Sequence, residues 1–290
     1  MKKIIEALGF SETDKLLIIH ADDAGLCFAE NQATKLALEK GIVNSTSIMM
    51  PCPWAYEMVM YAKENPQFDY GIHLTLTCEW KNYKFGPVLS PKEVPSLVDE
   101  NGYFYPKRAM VKQNAVPSEV KKELKAQIEL AISLGIKPTH LDSHMFCLGL
   151  TEAIINVYRE LGKEYNIPVF LSKQLLGDFN MNTEKYVLES DFTIENVFTG
   201  TWSWFEGEGL KAYYDHAINS LQLGFNIILI HPAFNDSEMQ GVAFEHPNFG
   251  AEWRQEDFDY FTKEKTRALL EKKNVKLVNW KDINNALQDL

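Results

Sequence analysis

Leu16-Leu17-Ile18-Ile19-His20-Ala21-Asp22-Asp23-Ala24-Gly25 is an apolar run that closes on two adjacent carboxylates and a glycine. A run of that length bounded by charge reads as a strand buried on both faces, of the kind found in parallel sheets, with Asp22 and Asp23 at its C-terminal tip. Successive side chains of an extended segment point opposite ways, so the two acids hold different jobs in one place only where the strand has turned, and Gly25 supplies the turn. Read alone, an Asp-Asp pair is more often a helix N-cap or an Asx turn. The chemical reading gains ground because histidines end three later apolar runs.

Outward from that strand, short β-rich runs alternate with segments of helical period. Further strands are predicted at residues 45–50, 70–76, 137–142, 168–172, 226–231 and 274–280, with an eighth, weaker one near 196–202, and the first at 15–20. Helices are predicted at 28–40, 54–65, 118–134, 151–165, 210–223 and 258–273. The clearest is 118–134, which follows Pro117, carries Val120, Leu124, Ile128, Ala131 and Leu134 on one face, and stops at Gly135. Seven or eight such alternations predict an α/β fold: an irregular (β/α) barrel of about seven parallel strands, more than a doubly wound sheet. The 290 residues, 46% hydrophobic, fit one barrel domain spanning 1–290. No GxGxxG follows the first strand and no GxxxxGK[ST] occurs, so phosphate-cradling loops are excluded.

Composition narrows the partners. A net charge of −11 and a pI near 5.2 exclude a nucleic-acid surface, which needs a basic stripe, and leave a neutral or cationic partner as the expectation. No stretch reaches membrane-spanning length, and the first ten residues carry Glu6 where a signal peptide's apolar region would lie, so no membrane and a cytoplasmic location are expected. Cys27, Cys52, Cys78 and Cys147 form no CxxC pair and read as free thiols. A homodimer is left open.

Residues 77–117 do not fit the alternation. They hold five prolines together with Trp80, Tyr83, Phe85, Tyr103, Phe104 and Tyr105. So many aromatics need something to pack on, which makes this insertion either a loop that seals the barrel or a lid that shapes the substrate site.

His73 lies at the end of Tyr70-Gly71-Ile72-His73-Leu74, His144 closes His140-Leu141-Asp142-Ser143-His144, and His231 ends Asn226-Ile227-Ile228-Leu229-Ile230-His231-Pro232. A lone histidine beside apolar residues is usually a core residue. Three at strand ends, facing an acidic pair, are harder to assign to packing, because parallel barrel strands bring their C-terminal ends to one rim. One carboxylate and two neutral imidazoles are a facial ligand set for a divalent cation with positions left for water and substrate. The remaining Asp and His suit acid and base work.

Four segments, His20 to Gly25 in the run above, Gly41-Ile42-Val43-Asn44-Ser45-Thr46-Ser47, Gly71-Ile72-His73-Leu74 and Pro138-Thr139-His140-Leu141-Asp142-Ser143-His144, occur in the order and spacing of one family. The chain resembles the YdjC/ChbG-type carbohydrate deacetylases, relatives of the polysaccharide deacetylases, over residues 16–253. The resemblance implies an irregular β/α barrel that removes N-acetyl groups from amino sugars such as chito-oligosaccharides. It implies one divalent cation held by Asp23, His73 and His144, with Asp22 as catalytic base, His231 as general acid and Arg254 orienting the base. Two nitrogens and one oxygen suit Zn²⁺, Co²⁺ or Ni²⁺, whereas relatives are often assigned Mg²⁺, so Mg²⁺ and Zn²⁺ are the leading ions. Two departures stand out: Met145-Phe146-Cys147 replaces further histidines, and His231-Pro232-Ala233 replaces His-Pro-Gly.

On this reading a bound cation lowers the pKa of water and polarises the acetyl carbonyl, Asp22 takes the proton, and protonated His231 gives one to the departing amine. Asp142 either orients a ligand imidazole or caps the following helix, and His140 is an orienting or a core residue. Trp80, Tyr83 and Trp202 are candidates for substrate contact, as stacking platforms or as filling for the barrel mouth. Two other readings remain: a metal-dependent hydrolase of another bond, such as a phosphoesterase, and a catalytically silent sugar-binding barrel. Phosphate needs nearby Lys or Arg, and only Arg254 adjoins these motifs.

Overall fold

Long aliphatic and β-branched runs, each bounded by helical segments, form seven strands among the residues described, 1–178 and 181–290, in this computed structural model. They are β1 (Lys15–Ala24), β2 (Ser45–Ile48), β3 (Tyr70–Leu74), β4 (Leu141–Ser143), β5 (Asn196–Thr199), β6 (Gly224–Ile230) and β7 (Val275–Leu277). All pair in parallel in the order β4-β3-β2-β1-β6-β5, with β7 also on β1. The sheet curls into a half-barrel surrounded by helices, the α/β class that the alternation predicts.

β1 organises the sheet because both of its faces are buried. Leu16, Leu17, Ile18 and Ile19 are all fully buried, each contributing about 1.5–3 kcal/mol of hydrophobic stabilisation. Leu17, Ile19 and Ala21 join the large core under the flanking helices, while Leu16 and Ile18 join a second core with Phe225, Ile227 and Trp280. One edge of β1 pairs with β6 from Lys15 to Ala21. The other edge is shared: β7 takes Lys15 to Leu17 and β2 begins at His20. Asn44 fills the fork, its Oδ1 accepting from Ile19 N at 2.8 Å and its Nδ2 donating to the Val278 carbonyl at 2.8 Å.

Two expectations change. Residues 168–172 form no strand: Val169 makes a single bridge to Leu141, Pro168 has no N–H to give, and the Tyr158 hydroxyl enters the ladder, donating to the Leu141 carbonyl at 2.6 Å. The weaker eighth segment is a strand instead, β5. The helix expected over 258–273 is two, Ala251–Phe261 and Glu264–Lys272, because the Phe261 carbonyl accepts from Ile42 N at 3.0 Å rather than continuing the helix. Helix Phe28–Lys40 matches its prediction, and Pro117–Ser133 lies within one residue of its own.

The insertion packs into the main core. Trp80, Phe85, Val94, Leu97, Phe104 and Val111 are buried there, and Glu123 of helix Pro117–Ser133 accepts from Val88 N and Leu89 N at 2.9 and 3.1 Å. No helix among the described residues is long and apolar enough to cross a membrane, and the four cysteines are buried and unpaired.

Candidate active site

The rim at the C-terminal ends of β1, β3, β4 and β6 collects the predicted residues, and the decisive local feature is the backbone of Asp23. His20 and Asp22 share the face of β1 that carries Leu16 and Ile18; a regular strand would send Asp23 to the other face. Instead Asp23 has φ 65°, and the register with β2 slips between Ala21 and Ala24. This bulge turns both carboxylates into one site, at a cost of about 1–3 kcal/mol for a non-glycine residue in the left-handed region. The turn expected at Gly25 therefore starts two residues earlier. Gly25 still continues it, with φ 95° and room for a Cβ only 3.0 Å from the Ala55 Cα.

Asp23 Oδ1 lies 3.3 Å from His73 Nε2 and 3.1 Å from His144 Nδ1, and all three side chains are buried. One carboxylate oxygen and two imidazole nitrogens within 4.8 Å of one another fit a divalent cation. Two other groups, Asp22-His73-Asp142 and His20-His140-Asp142, meet the same distance, but there the Asp142 oxygens are engaged by His73 Nδ1, His20 Nε2 and the Ser47 hydroxyl at 2.7–2.8 Å. Asp142 therefore sits behind His73, on the ring nitrogen away from Asp23, and caps no described helix.

The charges of the cluster shift one another, and a cation entering it would displace the protons that the carboxylates hold on His73 and His144. Burial pushes the Asp23 carboxyl up, but His144 and Arg254 outweigh it and hold it well below the usual carboxylate range. Burial pushes His144 down, and Glu79 and Asp23 more than reverse this, to about 9. His73 is raised in the same way by Asp142 and Asp22 against burial. Arg254, expected beside the base, bonds Asp23 Oδ2 through Nη2 at 2.7 Å, and its Nη1 and Nε donate to Glu30 Oε2 and the Phe249 carbonyl, each at 2.7 Å.

Asp22 stands between two histidines. Its Oδ1 is 3.1 Å from His20 Nε2 and its Oδ2 is 3.6 Å from His231 Nε2. The backbone N–H of His231 donates to Asp257 Oδ2 at 2.8 Å, and the other oxygen of Asp257 accepts from the Tyr214 hydroxyl. His231 Nδ1 is buried with no hydrogen-bond partner among the described residues. Burial lowers the His231 pKa to about 4 against the pull of Asp23 and Asp22. The expected protonated acid is therefore a neutral imidazole at rest.

A cavity of about 350 Å³ opens on these groups, and its apolar wall includes Met145, Phe146, Phe170, Leu175 and Phe249. Met145 and Phe146 follow His144 with φ 49° and 54°, both left-handed, and the Met145 carbonyl accepts from Arg108 Nη1 at 3.3 Å. The three aromatic candidates for substrate contact lie outside the lining of this cavity. Trp80 is fully buried with the Arg254 guanidinium 5.4 Å from its ring, so it has no face for a sugar. Tyr83 donates to the Leu26 carbonyl at 2.6 Å and Trp202 packs on Phe205; neither lines the cavity. Trp80→Ala should then cost about 3–5 kcal/mol, read by denaturant unfolding, as a buried indole does; a cost below about 1 kcal/mol would return Trp80 to the site.

His140 is a core residue, stacked on Trp280 at 5.1 Å with its Nε2 3.9 Å from Asp142. It also explains Gly71, where a Cβ would fall 2.3 Å from the imidazole Nε2. Sequence reasoning missed Glu30, Glu79, His20 and Asp257. For Asp257 a signal existed, since it follows Arg254 by three residues and shares its helix face. For Glu79 there was none.

A curled parallel sheet with a carboxylate–imidazole centre at its C-terminal rim defines a β/α-barrel protein with a metal-competent site. The chain belongs to the YdjC-like protein family, which matches residues 16–272. It is 31% identical to a carbohydrate deacetylase of Clostridium beijerinckii over 92% of this chain and 99% of that one. With a chitooligosaccharide deacetylase of Yersinia enterocolitica it shares 30% identity over 81% of this chain and 88% of the other. Among solved structures, an Enterococcus faecalis V583 protein assigned to cellobiose-phosphate cleavage superposes with a TM-score of 0.76 at 26% identity, covering 93% of this chain and 99% of that one.

Proposed function

We propose that the protein is a metal-dependent hydrolase that removes N-acetyl groups from amino sugars or small N-acetylated oligosaccharides. The observation that carries this reading is the convergence of Asp23, His73 and His144 on one side of a cavity that Asp22 and His231 also line. Asp23, His73 and His144 would hold one divalent cation, and their two nitrogens and one oxygen favour Zn²⁺ over Mg²⁺. When bound, such a cation supplies Lewis acidity to the acetyl carbonyl and lowers the pKa of water.

The chain's own groups handle the protons. Asp22, tethered through Oδ1 to His20, takes the proton of the attacking water. His231 is neutral at rest, so the proton it gives to the amine is the one Asp22 has taken, passed from Oδ2 to the Nε2 that lies 3.6 Å away. The hydroxyl joins the acetyl carbon, the C–N bond breaks, and acetate and a free amine leave. Arg254 does not support the phosphoester alternative: Asp23, Glu30 and the Phe249 carbonyl already engage it.

The test is acetate release from N-acetylglucosamine and its short oligomers after chelation and re-addition of Zn²⁺ or Mg²⁺. Cation-dependent acetate, with an equal yield of free amine, is the expected result. Hydrolysis of p-nitrophenyl phosphate without acetate release would move the protein to the phosphoesterases, and sugar binding without turnover would make it a silent barrel.

A further inference from the structure

Glu79 lies in the insertion, six positions past His73, and its side chain is 11% exposed. Its Oε2 is 3.0 Å from Nε2 of His144, while Nδ1 of the same ring is 3.1 Å from Asp23 Oδ1. When the outer nitrogen of an imidazole donates to a carboxylate, the proton is held there and the lone pair of the inner nitrogen is turned toward a ligand. His73 has the same arrangement with its nitrogens exchanged: Nδ1 is 2.8 Å from Asp142 Oδ1 and Nε2 is 3.3 Å from Asp23 Oδ1. Each imidazole of the cluster therefore has its own carboxylate on the side away from Asp23. For His73 that carboxylate comes from the sheet; for His144 it comes from the insertion.

The insertion holds Glu79 between two fixed neighbours. Cys78 N donates to the Tyr105 carbonyl at 3.0 Å, and Trp80 is fully buried against Arg254. A side chain anchored on both flanks loses little freedom in reaching His144, so its hydrogen bond orients the ring instead of following it. The need is specific to His144. Met145 and Phe146, directly after it, are both left-handed, so the chain leaves β4 through a sharp turn in which no regular ladder aims the imidazole.

We infer that Glu79 is a positioning residue for the cation site, fixing the tautomer and ring direction of His144, and that the insertion is thereby part of that site. This rests on the proposed cation at Asp23, His73 and His144. A different role is open to Glu79 because it also lines the cavity: contact with a hydroxyl or amide of the substrate. That role would raise KM and leave cation affinity alone.

The experiment uses the full-length protein, stripped with a chelator and titrated with Zn²⁺ alone by calorimetry, alongside Co²⁺ substitution read from its visible absorption. Glu79→Ala should weaken Zn²⁺ binding by about 10- to 100-fold, the usual effect of removing a carboxylate behind a ligand histidine, and should shift the Co²⁺ bands. Glu79→Gln keeps the shape and an acceptor for Nε2–H and should restore most of the affinity; Glu79→Asp keeps the charge, falls short of His144, and should behave like Ala. Affinity within twofold of the parent in Ala, or Asp binding more tightly than Gln, overturns the inference. If the Ala protein fails to fold, the order of Gln and Asp decides alone. A parent protein that takes up neither Zn²⁺ nor Mg²⁺ overturns the cation site itself, whereas a parent that binds with undiminished variants overturns only the role of Glu79.

Discussion

Asp22→Asn is expected to keep its fold and its cation and to lose turnover by about 10²- to 10⁴-fold, the range set by removing an acid–base group. The substitution is nearly isosteric, and the amide oxygen still accepts from His20 Nε2, which lies 3.1 Å from Oδ1 in the parent protein. The buried Arg254 guanidinium bonds Asp23. What the variant lacks is a group able to take the proton and hand it to His231. The loss should fall on kcat with little change in KM, because the proton transfer strengthens only in the transition state. Metal analysis beside the kinetics makes the result decisive: if Asp22→Asn loses the cation, Asp22 is a ligand and the Asp22-His73-Asp142 group is the true centre.

The second large effect is expected from His73→Ala combined with His144→Ala. Removing both nitrogens leaves Asp23 as a single oxygen donor already shared with Arg254, so bound cation should fall from one per chain to none and acetate release to background. His73 also partners the buried Asp142, and deleting it leaves one carboxylate oxygen unpaired at a cost of about 3–5 kcal/mol. Circular dichroism must therefore accompany the metal analysis, and His73→Gln with His144→Gln, which keeps hydrogen-bonding capacity, is the control if the alanine protein unfolds. Undiminished cation stoichiometry in a folded double variant would falsify the assignment of this cluster.

How far the chain could be read in advance differed from element to element. β1 was legible because four consecutive buried aliphatic residues have few alternatives to a strand covered on both faces. Helix Pro117–Ser133 was legible from its apolar period, from the proline at its start and from the glycine just past its end. Residues 168–172 were not, since their composition suits a strand and the obstacle is a hydroxyl from Tyr158 in another segment. The break after Phe261 was hidden for the same reason, because its carbonyl is drawn to Ile42, more than two hundred residues away. For Trp80, Tyr83 and Trp202 the choice between substrate contact and packing stayed open, because aromatic content alone does not distinguish a stacking platform from a core.

By itself the sequence determined which residues arrive at the rim. Parallel strands end on one side of a sheet, so an acid or histidine closing an apolar run is carried there whatever the loops do, and Asp22, Asp23, His73, His144 and His231 all line the cavity at that side. Only the tertiary structure decided what they do on arrival. The left-handed backbone of Asp23 sets its carboxylate beside Asp22, Glu79 and Asp142 determine which imidazole nitrogen faces it, and burial makes His231 neutral. Hydrogen-bond direction and desolvation depend on neighbours brought together from distant parts of the chain, and no local pattern of residues encodes them.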